Sequence, residues 1–320
     1  MRTLKTILRM TFVFLLLFGI GLGAYYAYSF YSFTTKIQKP GTATSLPEWT
    51  GKERVNILLL GVDKRDYEES TRSDSIMVVS IDPVTQKAHL FSILRDSWVE
   101  IPGHRKNRIN AAYELGGPEL MAETVENLTG LPIQYYVVTD FKGFEKVVDA
   151  LGGVDLYVEK DMEYYLYENN GYYDILLKKG YQHLDGRKAL QYVRFRHDKM
   201  GDFSRTERQR KFLKALAEKA KSGTSIWKVP RVLEAISPYV TTNMGSTDML
   251  RLANLAYKID LENLQTEQIP PSTILREKTI GGAQVIDPRA ERTKEYIREL
   301  LENPVDGQAE VNKEVKGSIN

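Results

Sequence analysis

Three apolar segments decide the fold: RVNILLLGVD (residues 54–63), DSIMVVSI (residues 74–81) and AHLFSILRD (residues 88–96). Each is rich in leucine, isoleucine and valine and is short for a helix, so each predicts a buried strand. An Asp82-Pro83 turn follows the second segment, and the connections between the segments predict hairpins. The folded part of the chain is therefore expected to begin with three neighbouring strands.

Helical patterns alternate with further strands in the rest of the chain. Helices are predicted at about residues 109–115, 119–128, 141–151, 248–259 and 288–301, and strands at 135–139 and 154–158. Residues 159–180 are rich in tyrosine and lack a regular pattern, which is typical of a surface excursion. Strands mixed with helices predict one α/β layered domain with a mixed sheet.

Residues 192–210 contain five arginines and two aspartates. We expect a strand over residues 190–195, on which Arg194 and Arg196 project from the same side. Several guanidinium groups at close quarters are costly without an anion, so the segment predicts a polyanion site. Arginine also suits phosphate better than lysine does, because its planar fork matches two phosphate oxygens at a time.

Ser204 and Glu207 form a capping box that predicts a helix reaching about residue 221. One stripe of this helix begins with polar side chains and continues with apolar ones: Arg205, Arg208, Gln209, Phe212 and Leu216. The positive end of the helix dipole adds to the arginine charge at the same place. For the helix alone, a solvated basic face remains the alternative.

Composition excludes several classes of protein. The 320 residues are 42% hydrophobic and 27% charged, and the net charge is only +2. The basic cluster is thus local, which argues against a nucleic-acid partner. The chain has no cysteine, so disulfides and thiolate metal sites are excluded. The four histidines lack zinc-ligand spacing, although His197 lies inside the arginine cluster and is a candidate phosphate contact.

The N-terminal segment predicts a membrane anchor. No charged residue occurs between Arg9 and Lys36, and residues 11–30 are long and apolar enough to cross a bilayer. The basic residues before this segment place the start of the chain in the cytoplasm and the rest outside, as a single-pass type II protein of the cell membrane. A cleavable signal peptide is the alternative, but the apolar stretch is longer than usual and no clear Ala-x-Ala site follows.

The same patterns give predicted boundaries along the chain. We expect a cytoplasmic start at residues 1–9, a transmembrane signal anchor at 10–33, an extracellular linker at 34–52, the main domain at 53–302 and a disordered polar tail at 303–320.

Asp63, Asp74 and Arg95 each stand where a predicted strand begins or ends. Ligand-binding side chains of open α/β sheets are typically found there, so the three are expected to share one crevice. Two carboxylates beside a phosphate-bearing ligand make a suitable Mg²⁺ site. For either aspartate alone, a turn residue or a strand cap is the simpler interpretation.

Six motifs carry a family resemblance: Asn56–Asp63, Arg72–Ser75, Ser92–Asp96, Arg108–Tyr113 with Gly116-Gly117, Gly152–Asp155, and Arg194–Asp198 continuing through Gly201-Asp202 to Gln209. In this order, over residues 54–221 and behind one membrane anchor, they resemble the LytR-CpsA-Psr family. Within it the chain looks most like the LytR/TagU-type enzymes that attach wall teichoic acid. The resemblance implies a layered α-β-α domain with a mixed central sheet.

The resemblance also implies an activity. Such enzymes move an anionic glycopolymer from undecaprenyl diphosphate to the C6 hydroxyl of N-acetylmuramic acid in peptidoglycan, forming a phosphodiester. Asp63 and Asp74 would hold Mg²⁺, with Mn²⁺ as an alternative ion. The diphosphate would be bound by a set of polar side chains: Arg95, Arg194, Arg196, Arg205, Arg208 and Gln209. Asp198 and Asp202 would orient the arginines, and one of them would be the base for the hydroxyl.

An apolar groove for the polyprenyl chain is expected between the helices at 119–128 and 141–151. Two other functions stay open: a sensor or regulator that binds polyprenyl phosphates without catalysis, and a pyrophosphatase that releases the polymer to water. A binding protein has little need of the Asp63 and Asp74 pair, so these two residues discriminate the sensor from the transferase.

Overall fold

A six-stranded mixed sheet forms the centre of the computed structural model, which describes residues 2–38, 46–63, 72–165, 171, 174–198, 200–223 and 229–302. The helices are α1 Arg2–Ile37, α2 Ala111–Thr129, α3 Phe141–Ala150, α4 Gly186–Arg194, α5 Asp202–Gly223, α6 Val229–Ile236, α7 Ser246–Lys258 and α8 Ala290–Glu302. The strands of the first half are β1 Val55–Val62, β2 Ser73–Ile81, β3 Ala88–Ile93, β4 Trp98–Val99, β5 Asn107–Arg108 and β6 Tyr135–Asp140. The later strands are β7 Val154–Val158, β8 Met162–Tyr164, β9 Ile175–Leu177, β10 Gly180–Leu184, β11 Val240–Thr242, β12 Gln265–Ile269, β13 Arg276–Ile280 and β14 Ala283–Asp287.

The strand order of the central sheet is β11-β6-β1-β2-β3-β12. Strand β2 pairs antiparallel with β1 and with β3, whereas β6 pairs parallel with β1 and β12 pairs parallel with β3. The predicted hairpins and the mixed sheet are thus confirmed. Strands β1 and β3 point the same way as β6, so the carboxyl ends of all three meet at one end of the sheet.

Helices cover both faces of this sheet. One face packs on α2 and α8 through a core that includes Leu58, Val78, Phe91, Met121 and Ile297. The other face carries α7 and the group α3, α4 and α5. This arrangement is the α-β-α layering that the family resemblance implies. The range given for α2 contains both helices predicted at 109–115 and 119–128, which are separated where Gly116 and Gly117 depart from helical backbone angles.

Helix α4 occupies the segment for which a strand was expected, so the prediction for residues 190–195 is wrong. Asp185 caps this helix by accepting a hydrogen bond from the Lys188 backbone N–H at 2.8 Å. Its buried face includes Leu190, Tyr192 and Val193. Aromatic and β-branched residues such as Tyr192 and Val193 favour strands, but packing can override that preference.

The capping box at Ser204 is also wrong, because α5 begins two residues earlier, at Asp202. The Ser204 hydroxyl donates to Asp198 at 2.5 Å, and Glu207 pairs with Lys211 at 2.6 Å instead of returning to Ser204. Strands β8 and β9 lie inside the segment 159–180 that was expected to be irregular. They bury Met162, Ile175 and Leu177 at alternate positions.

Helix α1 is apolar and long enough to span a membrane over Met10–Ile37. It therefore extends into the predicted linker, where Thr34 and Ile37 are buried against the domain. The Gln38 side chain donates to the Met244 carbonyl at 2.6 Å, and Gln38 also bridges to Thr242 of β11. The helix thus meets the domain at the β11 edge of the sheet. Residues 39–45 of the predicted linker and the predicted tail at 303–320 lie outside the described residues.

Candidate functional site

A cavity of about 410 Å³ lies between the central sheet and the group α3, α4 and α5. One part of its wall is charged and the remainder is apolar. The charged part contains seven of the predicted site residues, namely Asp63, Asp74, Arg95, Arg194, Arg196, Arg205 and Gln209. The structure therefore brings together residues that are as far apart in sequence as 63 and 209.

Sheet geometry explains why these side chains meet. Asp63, Arg95 and Asp140 come at or after the carboxyl ends of β1, β3 and β6, which all point the same way. Asp74 is at the start of β2, which runs in the opposite direction, so it reaches the same end of the sheet. Polar side chains at strand ends can face a ligand without disturbing the core between them.

Arg95 is held by acidic neighbours on two elements. Its guanidinium donates to the Asp74 carboxylate and lies 3.7 Å from the carboxylate of Asp202 on α5. Burial opposes the charged form, but Asp74 and then Asp202 more than compensate, so the pKa of Arg95 is raised. The arginine is therefore a fixed positive charge on the cavity wall.

Arg205 is only 5% exposed although it lines the cavity. It pairs with Asp202 at 2.6 Å and donates to the Asp74 backbone carbonyl at 3.2 Å. Burial lowers the pKa of Arg205, and the neighbouring charges of Arg95 and Arg196 lower it further, against the opposing effect of Asp202. This mutual repulsion between arginines would be relieved by an anion in the cavity.

Gln209 lies one turn after Arg205, and both the oxygen and the nitrogen of its side-chain amide have partners. The amide oxygen accepts from the Ser75 hydroxyl at 3.2 Å, and the amide nitrogen donates to the Val193 carbonyl at 3.3 Å. The side chain thus connects β2, α4 and α5 at the cavity wall.

Arg194 and Arg196 both line the cavity, but for a different reason from the one predicted. Arg194 is the last residue of α4, and its guanidinium lies 4.8 Å from the centre of the Phe141 ring. Arg196 follows in an irregular segment and is exposed. The two arginines are therefore brought to one cavity by a helix end, not by strand alternation.

Arg208 departs from its predicted role as a diphosphate ligand. It does not line the cavity, and its guanidinium is 2% exposed. It pairs with Asp198 and Glu159, each at 2.9 Å, and donates to the Phe195 carbonyl at 2.8 Å. The guanidinium holds the segment that leads from α4 to α5, which carries Arg196.

Asp198, one of the two residues predicted as the base, does not line the cavity either. Besides Arg208 it accepts from the Ser204 hydroxyl and the Gly201 backbone N–H, and it lies 3.3 Å from Lys160. Burial alone would raise the pKa of Asp198, but these partners hold it far below its usual range. Asp202 also does not line the cavity, although it contacts two arginines that do.

The apolar part of the cavity corrects the predicted groove. Its wall comes largely from three helices and includes Phe141, Phe144, Val147, Leu190, Phe212 and Leu216. Helix α3, predicted as one side of the groove, supplies part of this apolar wall. Helix α2, predicted as the other side, does not, because it packs on the opposite face of the sheet.

Asp63 and Asp74 fit a hard divalent cation by the chemistry of their donors. Both carboxylates line the cavity, and magnesium is typically bound by one or two carboxylates together with phosphate oxygens and water. Within the described part of the chain, no group of three or more histidine, cysteine or acidic side chains could hold a metal by itself. A phosphate-bearing ligand would therefore have to complete the coordination.

Sequence reasoning missed several residues of the cavity wall. Asp140 caps α3 by accepting from the Gly143 backbone N–H at 2.7 Å, and an aspartate before a helical pattern could have indicated this position. Tyr164 stacks on His197, with ring centres 3.5 Å apart, beside the arginines. No sequence signal joins these two rings, since β8 was not predicted.

Comparison with known proteins gives a consistent result. A model described as the LytR_cpsA_psr family matches residues 24–301. Regulatory protein MsrR of Staphylococcus aureus (strain COL) is 41% identical over 200 residues, which cover 62% of this chain and 59% of MsrR. The chain thus matches less than two thirds of that relative's length. Polyisoprenyl-teichoic acid--peptidoglycan teichoic acid transferase TagU of Bacillus anthracis (strain CDC 684 / NRRL 3495) is 38% identical over 263 residues, 80% of this chain and 84% of TagU.

Two solved structures share the fold. TagT bound to LI-WTA superposes with a TM-score of 0.66 and 27% identity over 82% of this chain and 96% of TagT. YwtF (TagT) with bound octaprenyl pyrophosphate lipid gives a TM-score of 0.62 and 26% identity over 82% of this chain and 96% of YwtF.

Proposed function

The chain belongs to the LytR-CpsA-Psr family, and from this premise we propose that it is a membrane-anchored phosphotransferase of the cell envelope. It would move an anionic glycopolymer, wall teichoic acid in the first instance, from undecaprenyl diphosphate to the C6 hydroxyl of N-acetylmuramic acid in peptidoglycan. The names of TagU and of the lipid-bound TagT structures support this substrate class.

One observation carries the proposal: a single cavity joins a cationic wall to an apolar wall. Arg95, Arg194, Arg196 and Arg205 present positive charge on one side, and the side chains of α3, α4 and α5 present hydrocarbon on the other. A ligand that matches both must have an anionic head attached directly to a long apolar chain. A polyprenyl diphosphate has this form.

The reaction follows from where the charges are placed. The acceptor hydroxyl attacks the phosphorus nearer the sugar, the bond from that phosphorus to the bridging oxygen breaks, and polyprenyl phosphate leaves with the electron pair. The hydroxyl proton passes to a carboxylate on the cavity wall. Phosphoryl transfer needs mainly positioning and neutralisation of charge, and the arginines can supply both.

Each group of contacts at the site has a separate task in this proposal. Arg95 and Arg205 face the diphosphate from two elements, and Asp202 contacts both guanidinium groups and orients them. Gln209 adds a neutral donor beside them. Asp198 and Arg208 position the segment that carries Arg196.

Asp63 and Asp74 would hold Mg²⁺, or Mn²⁺, against the diphosphate. When bound, the ion would neutralise charge on the phosphate oxygens and stabilise the leaving phosphate. Asp74 already accepts from Arg95, so the ion and the arginine would share this carboxylate.

The membrane anchor supports a location on the outer face of the cell membrane. Helix α1 is apolar over 28 residues and ends against the domain. With type II orientation the cavity stays close to a donor that is itself held in the bilayer, and this raises the effective concentration of the donor at the cavity.

A second candidate is a regulator that binds polyprenyl phosphates without transfer, which the name of MsrR favours. The same arginines would serve it, but the two carboxylates would not be required. A pyrophosphatase would use the same site and pass the polymer to water.

The test uses the full chain in nanodiscs with a synthetic lipid-linked polymer precursor, peptidoglycan oligomers and Mg²⁺. Mass spectrometry scores a phosphodiester at the muramic acid C6 position. Product that is lost with Arg205→Gln but kept with Arg251→Gln, an exposed arginine on α7, supports the transferase. Tight lipid binding without product favours the regulator, and polymer phosphate released into solution favours the pyrophosphatase.

A further inference from the structure

Three arginines lie outside the cavity beside the start of α8; two of them are exposed and Arg289 is half-buried. Arg276 is on β13 opposite Asp287 of β14, Arg289 follows two residues later, and Arg292 is in the first turn of α8. We call these three residues the α8 arginine cluster. None of the three guanidinium groups makes an ion pair or hydrogen bond with a residue that the structure describes.

Two acidic groups beside the cluster are already engaged. The Asp287 carboxylate pairs with Lys278 at 2.6 Å and accepts from the Arg289 backbone N–H at 3.0 Å. Glu291 pairs with Lys294 at 2.9 Å. Partial desolvation lowers the pKa of Arg289, and the charges of Arg292 and Arg276 lower it further, while Asp287 offsets only part of this. The cluster therefore keeps an uncompensated positive charge.

Local physical chemistry disfavours arginine here. Arg289 has φ of +47°, in the left-handed region that glycine and asparagine tolerate best. Arginines at the N-terminus of a helix also oppose its dipole, where acidic residues would stabilise it. Local choices that conflict with stability are expected mainly at functional positions.

The cluster lies close to the cavity. The Ile286 backbone N–H donates to the Asp96 carbonyl at 3.0 Å, and Asp96 directly follows Arg95. Arg108 connects the same parts, since it lies 3.2 Å from the Asp96 carboxylate and donates to the Gln284 carbonyl at 2.9 Å. Arg289 is three residues after Ile286, so its backbone is at most about 11 Å further on.

The cluster also lies away from the membrane anchor. Helix α1 meets the domain at β11, which is one edge strand of the sheet, whereas Ile286 bridges to Ser97 just after β3. Strands β11 and β3 are four spacings apart, or roughly 19 Å at about 4.8 Å each. This separation argues against anionic lipid headgroups as the ligand.

We propose that the α8 arginine cluster binds the phosphodiester backbone of the anionic polymer as it leaves the cavity. This inference rests on the proposed function and names where the polymer part of that substrate lies. A chain of repeating phosphates offers several anions at once, which suits several separate guanidinium groups. Arginine can also contact two phosphate oxygens in a plane.

The test compares the full chain in neutral phosphatidylcholine nanodiscs with two triple variants. One carries Arg276→Gln, Arg289→Gln and Arg292→Gln. The matched control carries Lys52→Gln, Arg251→Gln and Lys258→Gln, which remove the same charge from exposed positions outside the cluster. The probe is a labelled glycerol-phosphate hexamer, whose affinity is measured over a range of salt concentrations.

We expect the cluster variant to bind the hexamer about tenfold more weakly, as the loss of three exposed ion pairs would give. Its slope of log Kd against log salt should fall by about 2, at roughly 0.7 per phosphate contact. The control should stay within about twofold of the parent. An equal loss in both variants would overturn the proposal. So would unchanged hexamer binding together with lost binding to phosphatidylglycerol vesicles, because the cluster would then recognise lipid.

A transfer assay separates this proposal from the proposed function. The cluster variant should transfer a lipid-linked donor with one repeat at the parental rate and a long donor more slowly. If the parent transfers neither donor, the proposed function fails, while the hexamer measurement still decides whether the cluster binds polymer. If the parent transfers both and the variant keeps the parental ratio of rates, the cluster inference fails alone.

Discussion

Arg205 and Arg208 are buried arginines almost one turn apart on α5, and replacing each with methionine should give opposite results. Arg205 is 5% exposed and Arg208 is 2% exposed, so burial alone does not distinguish them. Their partners do. Arg208 contacts only groups of the fold, whereas Arg205 lines the cavity beside other arginines.

The magnitudes follow from what each substitution leaves behind. Arg208→Met leaves Asp198, whose side chain is 8% exposed, without its closest cationic partner. Breaking such a buried pair costs about 3–5 kcal/mol. Arg205→Met leaves Asp202 within 3.7 Å of Arg95 and removes repulsion between arginines, so it should cost less than Arg208→Met although both pairs are buried.

The apparent melting temperature of the full chain in one detergent measures both effects. In a domain of this size 1 kcal/mol shifts the melting temperature by about 2–4 °C. Arg208→Met should therefore lower it by at least about 6 °C, and Arg205→Met by clearly less than Arg208→Met. Arg205→Met should in turn reduce transfer about 10²–10³-fold, as the loss of a charge-stabilising donor does. Equal melting temperatures for the two variants would refute this division of roles.

Three further predictions concern the metal, the lipid and pH. Asp74→Asn should raise the Mg²⁺ concentration for half-maximal transfer, and an unchanged metal titration would move the ion elsewhere. Leu216→Trp should weaken binding of undecaprenyl phosphate at least about tenfold more than binding of a two-isoprene analogue, because each buried CH₂ contributes about 0.8 kcal/mol. The control is Leu176→Trp, at an exposed position. Burial lowers the pKa of His89 from 6.5 to about 4, so the folded state keeps this side chain neutral at a pH where the unfolded chain protonates it. The free energy of unfolding should therefore be highest above pH 6.5 and fall by about 3 kcal/mol as the pH is lowered towards 4. His89→Gln should flatten the unfolding free energy over this pH range, and a slope equal to that of the parent would refute the assignment.

The fold was predictable where local pattern and packing agree. The apolar strands β1, β2 and β3 and the amphipathic helices α3 and α8 were all expected near their observed bounds. Helix α4 was not, because Tyr192, Val193 and Phe195 favour a strand while the Asp185 cap and the core beside α3 and α5 favour a helix. Tertiary contacts decided that conflict, and no sequence window contains them.

The site was predictable as a stripe on α5 but not side chain by side chain. Successive residues turn by about 100° around a helix. Gln209 thus lies roughly 40° from Arg205 on one side, and Arg208 lies about 60° away on the other. That difference takes Gln209 into the cavity and Arg208 towards Asp198. Periodicity gives the face of a helix, whereas the neighbouring elements decide which edge of that face meets a ligand.

The strand order gives the cavity a direction. Its wall includes Val240 of β11 at one edge of the sheet and reaches Arg95, after β3, on the other side. Helix α1 ends at β11, so a lipid from the bilayer would enter there with its hydrocarbon along the helices. The diphosphate would then stop at the strand ends near Arg95. If the proposed function holds, the polymer part of the donor would lie on the side beyond β3, towards the α8 arginine cluster, and the lipid part on the side of β11.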